Sequence, residues 1–263
     1  QDNLSRLSGS GITILHPDTG LQACGETGVG RLMDVPDMVS AVNTLFQSGL
    51  LQGRRIVITA GPTREAIDPV RYISNHSSGK QGYAIAEAAV EAGASVDLIT
   101  GPTELAIPDR VVAHPVESAQ QMYEAVNSVI DGADVFIGVA AVADYRPADT
   151  SEQKIKKQND DGLTIQLVQN PDILKSVAER PSKPFTVGFA AETESLRANA
   201  REKLQRKNLD MIIANDVANP NIGFNSDDNQ TVVLTAQTEQ ELPILSKAEL
   251  ARKLIALIAK EIG

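Results

Sequence analysis

Short apolar runs and longer helical periods alternate through most of the chain. The run 54–61, RRIVITAG, is β-branched and ends in glycine, which fits a buried parallel strand. The Ala-rich stretch 79–94 reads as a helix ending near Gly93, followed by a strand at 95–101. A helix at 118–131, with Ser118 as N-cap, leads to a third apolar strand at 134–143. Residues 163–168 alternate like a strand, and 170–180 read as a helix with Asn170 capping and Pro171 at the first position. A strand at 185–192, a helix at 195–209 and a strand at 210–215 follow. Residues 231–236 and 241–245 predict a terminal hairpin, and a last helix starts at Ser246. There Ser246 and Glu249 have capping-box spacing, and Leu245 and Leu250 are placed to form a hydrophobic staple. The alternation predicts an α/β, Rossmann-like three-layer fold: a mostly parallel sheet, helices on both faces, and a C-terminal β-hairpin.

The first residues break this rhythm. Residues 1–36 are rich in Gly, Ser, Asp and Pro, with one apolar run, 11–17, that reads as a strand. Met38, Val42, Leu45 and Phe46 then recur at helical spacing and predict a short helix over 37–48. The expected division is therefore 1–50 and 51–263. The first Met is Met33, so the chain reads as a fragment of a longer polypeptide.

Charge and composition narrow the functional classes. Lys plus Arg is 24 and Asp plus Glu is 34, a formal net charge of −10 that speaks against nucleic acid as a partner. No apolar run approaches the roughly 18 residues of a membrane span. Cys24 is the sole cysteine, which excludes an intrachain disulfide framework and points to a reducing, cytoplasmic setting.

In open α/β sheets ligands sit beyond the carboxyl ends of the strands. Those ends are chemically loaded here, with 60–82 after the first strand, ADYRP (143–147) and KIKK (154–157) after the third, and AAET (190–193) after the strand at 185. A nicotinamide dinucleotide fits poorly, because Gly61 is followed by a long insertion and the second strand ends without an acidic residue. A phosphate fits better. Ser77, Ser78, Gly79 and Lys80 lie at a helix start, where free N–H groups and the dipole attract anions, and glycines at 79 and 82 would let a phosphate approach. The 154–157 lysines read either as a solvated run or as a flap closing on phosphates. Spacing alone makes Lys203 and Lys207 a surface stripe, Phe189 a core residue, and His76 a loop hydrogen-bonder.

Taken together, 58–82, AAVADYRP (140–147), KIKK (154–157), NPDIL (170–174), GFAAET (188–193) and KNLDMIIANDV (207–217) resemble the bacterial phosphopantothenoylcysteine synthetase family. That family is the C-terminal half of a bifunctional enzyme of coenzyme A biosynthesis. HPDTGLQACGETGVGR (16–31) resembles the substrate-clamp segment of the flavin-dependent decarboxylase half, with Cys24 at its active-site cysteine. The resemblance implies that the FMN-binding body of that half precedes residue 1, and that this chain does not decarboxylate alone.

The resemblance further implies a ligase joining 4′-phosphopantothenate to L-cysteine. The acid attacks the α-phosphate of CTP, giving an acyl-cytidylate and pyrophosphate, and the cysteine amine then displaces CMP. It places Gly138, Val139 and Ala140 at the cytosine edge and Asp144 at the nucleotide or at Mg²⁺. Lys154 falls at the charge of the α-phosphate. Asn170, Pro171, Asp172 and Ile173 make a second nucleotide turn, and Phe189, Lys203 and Lys207 make further nucleotide contacts, against the reading from spacing. Asn75 is placed to hold the acyl intermediate by donating to its carbonyl. A homodimer through the synthetase domain, and a larger homo-oligomer in the longer protein, are implied too. A non-catalytic nucleotide-binding module stays open as an alternative.

Overall fold

A computed structural model of the chain describes every residue except 1, 11, 22–24, 26, 46–48, 158–161, 193–194 and 217–225. The chain divides into two compact units, 1–48 and 49–263. The first holds α1 (Asp2–Gly9), an antiparallel ribbon of β1 (Asp18–Leu21) and β2 (Thr27–Arg31), and α2 (Val35–Leu45). The strand expected at 11–17 does not form over its described residues, 12–17. Cys24 lies outside the described residues.

The second unit runs β3 (Arg55–Ala60), β4 (Arg64–Ala66), β5 (Tyr72–Ser74), α3 (Lys80–Glu91), β6 (Ser95–Thr100), β7 (Val111–Pro115) and α4 (Ala119–Val129). It continues with β8 (Val135–Gly138), β9 (Tyr145–Pro147), β10 (Leu167–Gln169), α5 (Ile173–Ala178), β11 (Phe185–Glu192) and α6 (Leu196–Arg206). It closes with β12 (Met211–Asp216), β13 (Asp228–Thr235), β14 (Glu239–Ser246) and α7 (Lys247–Ile262). Eight strands form one sheet in the order β14-β13-β12-β11-β8-β3-β6-β7. From β7 through β12 neighbours are parallel, and β13 and β14 add an antiparallel hairpin, as the sequence predicts.

Period-two alternation divides the sheet between two apolar layers. Ile56, Ile58 and Ala60 of β3 pack with α3 and α7 on one face, while Val57 faces α4 and α5 on the other. Further along that second face, Ile212 and Ala214 of β12 meet Ala200 and Leu204 of α6. The helix ends are local chemistry: Ser118 and Ser246 each close a full capping box, with Gln121 and Glu249.

Three expectations are corrected. The strand expected over 134–143 ends at Gly138, and the peptide groups beyond it bond to Thr59 at the end of β3 and to Gly61 and Thr63 just past it. The strand expected at 163–168 shrinks to β10, which pairs with β9 in a separate two-stranded ribbon. The helix expected from Asn170 begins at Ile173, with Asp172 as its cap, accepting from the Lys175 N–H at 3.0 Å.

Candidate active site

The chain leaves β3 one way through β6 and β7 and returns to its other side through β8, β11 and β12. Strand order therefore reverses between β3 and β8, the place where such sheets open a crevice at their carboxyl edge. Two cavities of about 540 and 580 Å³ lie there, and Ala140, Val142, Asp144, Phe189 and Lys203 line both.

The first cavity is built around residues 138–144. The Val139 N–H donates to the Thr59 carbonyl at 3.1 Å and the Ala141 N–H to the Gly61 carbonyl at 2.9 Å. The buried Thr63 hydroxyl accepts from the Ala143 N–H at 3.0 Å. Gly138 and Ala140 line this cavity, whereas Val139 lines the second. Asn170 bolts the far side: its N–H donates to the Asp144 carbonyl and its amide nitrogen to the Ala143 carbonyl, both at 2.8 Å. Its amide oxygen accepts from Arg146 at 3.1 Å, so this side chain cannot serve as the helix cap that the sequence predicts.

Pro171, Asp172, Ile173, Phe189, Lys203 and Lys207 complete this wall. The two lysines are not a surface stripe. Lys203 Nζ donates to the Phe189 carbonyl at 2.9 Å, and Lys207 Nζ meets Asp172 Oδ2 at 2.8 Å. Burial pushes the Asp172 carboxyl up, but Lys207 and the Lys175 N–H outweigh it and hold the group below the usual carboxylate value. Asp144 is exposed and faces both cavities. Among the described residues, no three His, Cys, Asp or Glu side chains gather into a metal-holding group.

The second cavity takes in Asn75, Ser77, Ser78, Gly79 and Lys80. Gly79 caps α3 with φ of 76°, a left-handed conformation that glycine adopts without strain. Gly82 lines this cavity too and also packs closely on β3: a Cβ there would lie 2.5 Å from the Ala60 Cβ. Asn75 Nδ2 donates to the Ala141 and Val142 carbonyls at 3.2 and 3.1 Å. Both partners are acceptors, so the nitrogen must face them, and the amide oxygen is what Asn75 can offer a ligand.

Lys154 is exposed and lines neither cavity. Its segment hangs from the β4–β5 ribbon. The Ser151 N–H donates to the Ile67 carbonyl at 3.0 Å, the Ile155 N–H to Asp68 Oδ2 at 3.1 Å, and Arg71 to the Ile155 carbonyl at 2.9 Å. The buried Asp68 carboxylate also accepts the Arg71 guanidinium and the Val70 and Arg71 N–H groups. Arg71 above all holds its pKa far below the usual range, against the opposing push of burial. Sequence reasoning missed this clip, whose one signal is the acid–base spacing in IDPVR (67–71). It also missed Lys247, Asn215 and Asn229, which line the second cavity from elements remote in sequence.

The strand order and the crevice at its reversal define a doubly wound α/β domain with a mostly parallel sheet. Residues 51–262 match the model of the DNA/pantothenate metabolism flavoprotein C-terminal domain, and the chain belongs to that family. It is 50% identical over its whole length to the coenzyme A biosynthesis bifunctional protein CoaBC of Vibrio vulnificus, of which it spans 66%. It is 48% identical, over 97% of its length, to the CoaBC protein of Escherichia coli K12, of which it spans 64%. A crystal structure of the C-terminal domain of a CoaBC protein superposes with a TM-score of 0.70 at 44% identity, covering 82% of this chain and 98% of the other.

Proposed function

We propose that the chain is a ligase of coenzyme A biosynthesis that joins 4′-phosphopantothenate to L-cysteine, with CTP as co-substrate. One observation carries the reading beyond the relatives' names. Gly138, Ala140, Asp144, Asn170, Asp172, Phe189, Lys203 and Lys207, scattered over the sequence, line one cavity at the switch point of the sheet.

A carboxylate does not react with an amine at neutral pH and must first be activated. The nucleotide occupies the first cavity, its base against the pinned 138–140 backbone and its phosphates toward Lys203 and Lys207. The acid enters the second cavity, and its carboxylate attacks the α-phosphate at the junction that both cavities share. Pyrophosphate leaves, and the cysteine amine then attacks the acyl carbon and expels CMP. Negative charge builds on oxygen in both steps, so fixed donors and cations supply the catalysis. Lys154 supplies a cation once its hung segment closes. Asn75, with its amide oxygen, accepts an N–H from the incoming amine and orients it. Asp144 suits a Mg²⁺ ion carried on nucleotide phosphates, since that ion keeps much of its water and takes one or two carboxylates. When bound, Mg²⁺ would neutralise phosphate charge.

The same reading makes the protein cytoplasmic and a homodimer, whose contact would use the exposed Val70, Tyr72, Tyr145 and Leu167 of the two small ribbons. In the same proposal FMN and Cys24 serve a decarboxylation separate from the ligase chemistry. Among the described residues no helix is long and apolar enough to cross a membrane.

The test is pyrophosphate release with 4′-phosphopantothenate, comparing CTP with ATP, with and without cysteine. Release that requires CTP, and CMP formation that requires cysteine, are the expected results. CTP binding without pyrophosphate release would instead favour a non-catalytic nucleotide-binding module.

A further inference from the structure

The floor of the first cavity holds a hydroxyl that the proposed chemistry leaves unused. Thr59, on β3, is turned by period-two alternation to the same face as Val57, the one covered by α4 and α5. It lines the first cavity and not the second, together with Phe136, Ile173 and Leu174 from that face, and it is 3% exposed. Its oxygen accepts from the Ala140 N–H at a long 3.4 Å. Its hydrogen has no acceptor among the described residues, although nearly every buried polar group in a folded protein is paired. The neighbouring amides are committed: the Val139 and Ala141 N–H groups bond to main-chain carbonyls at 3.1 and 2.9 Å. Of these three successive N–H groups, Ala140's is the loosely held one, and Ala140 lines the first cavity.

Two donors therefore stand 3.4 Å apart on one wall, an O–H that can rotate and an N–H whose direction the pinned backbone fixes. They suit a ring edge with two adjacent acceptors. Cytosine has that edge in O2 and N3. Adenine offers N1 alone, between a C–H and an amino group that is itself a donor, so one protein donor goes unpaired against it. A donor buried without a partner is costly, whereas a paired one gains a modest net amount. Discrimination between bases then comes from the pairing that the wrong base cannot complete.

We propose that the Thr59 hydroxyl is a base-reading group, which together with the Ala140 N–H donates to O2 and N3 of a cytosine and so sets a preference for CTP over ATP. The choice of cytosine rests on the CTP reading and deepens it; the donor pair stands apart from it. In the empty protein the hydroxyl serves as a weak acceptor for Ala140. On binding it turns to donate, and the N–H passes to the base. The exchange needs only rotation of the hydroxyl hydrogen, while the backbone stays where the Thr59 and Gly61 carbonyls pin it.

Calorimetric titration of the full chain with CTP, with ATP and with 4′-phosphopantothenate tests this. The wild type is expected to bind CTP roughly 10- to 100-fold tighter than ATP, the worth of one donor left unpaired. Thr59→Val keeps the shape and β-branching of the side chain and removes the hydroxyl. It should weaken CTP roughly 10-fold, leave ATP and 4′-phosphopantothenate unchanged, and so erase most of the preference. Thr59→Ser should retain it. The triphosphate of 3-deazacytidine, in which a C–H replaces N3, should bind the wild type roughly 10-fold more weakly than CTP, which keeps the test decisive if Thr59→Val does not fold. A fall shared equally by all three ligands in Thr59→Val would make Thr59 a structural residue and overturn the proposal, as would a deaza analogue that binds like CTP. A wild type that binds both triphosphates alike defeats the CTP reading itself, whereas a selective wild type matched by an equally selective Thr59→Val defeats only the role of Thr59.

Discussion

Residues 139–143 are bonded into the exit of β3 through Val139, Ala141 and Ala143, whereas residues 150–155 hang from the β4–β5 ribbon through Thr150, Ser151 and Ile155. The first stretch offers backbone to a ligand and inherits the rigidity of the central sheet. The second offers Lys154, and it inherits only the rigidity of a ribbon of three-residue strands. A group that reads a base profits from a fixed frame. A cation that must meet charge developing in a transition state profits from a segment that can close. The contrast also gives Asp68 a purpose, since its buried carboxylate is the point where the lysine segment and the ribbon become one body.

The largest expected effect comes from the cation of the hung segment. Lys154→Gln should slow pyrophosphate release by roughly 10²–10³, the usual loss for one oxyanion-stabilising group, with CTP affinity nearly intact. Normal release in that variant would remove Lys154 from the mechanism and leave the segment as a solvated loop.

Next comes the clip. Asp68→Asn should loosen Ile155 and with it Lys154, and misplacement of that order costs up to about 10²-fold in rate. Amide hydrogen exchange separates this from general damage. Protection should fall at Ser151 and Ile155 and stay unchanged at Val139 and Ala141. Equal loss at both places would mean that the two stretches are not independently held.

The pinned loop predicts a smaller and different response. Thr63→Val removes the acceptor of the Ala143 N–H at a fully buried position, so about 1–3 kcal/mol of stability should be lost. Here CTP affinity should fall more than turnover, the reverse of the Lys154 pattern. Urea unfolding and CTP titration read the two quantities.

The legible parts of the molecule were those fixed by local chemistry. The runs that became β3, β6, β8 and β11 are apolar because both faces of the sheet are covered, and the boxes at Ser118 and Ser246 need only residues three apart. What escaped depends on distant partners. β8 ends at Gly138 because residues 59–63 compete for the next peptide groups, which no pattern within 134–143 records. Strand β7 carries His114, which bonds to Asp97 on β6 at 2.8 Å; a polar residue inside a short run hides a strand whose reason is its neighbour. In the site, motif strings supplied Asn75, Asp144 and Phe189 but not the wall each would line. Spacing alone made Lys203 and Lys207 a surface stripe, the resemblance set them at the nucleotide, and their actual partners, the Phe189 carbonyl and Asp172, are recorded in no local pattern. Lys247 carried no signal at all, being an ordinary residue at the start of an amphipathic helix.

The smallest effect is the titration of the clip, and it asks whether charge or shape holds the hung segment. In the unfolded chain Asp68 is an ordinary acid near 3.8, and in the fold Arg71 above all holds it lower. A depressed carboxyl contributes stability that is complete above its unfolded value and drains away as pH falls toward its folded one. The wild type should therefore melt above Asp68→Asn by a constant margin from neutral pH down to about 4, and the margin should narrow below that. Other carboxylates held low in the fold, such as Asp134 beside the Arg55 N–H and Arg54, titrate alike in both proteins and cancel from the difference. A margin that persists unchanged into strong acid would show that Asp68 acts through the shape of its hydrogen bonds, and the ion pair with Arg71 would then be incidental to how Lys154 is carried.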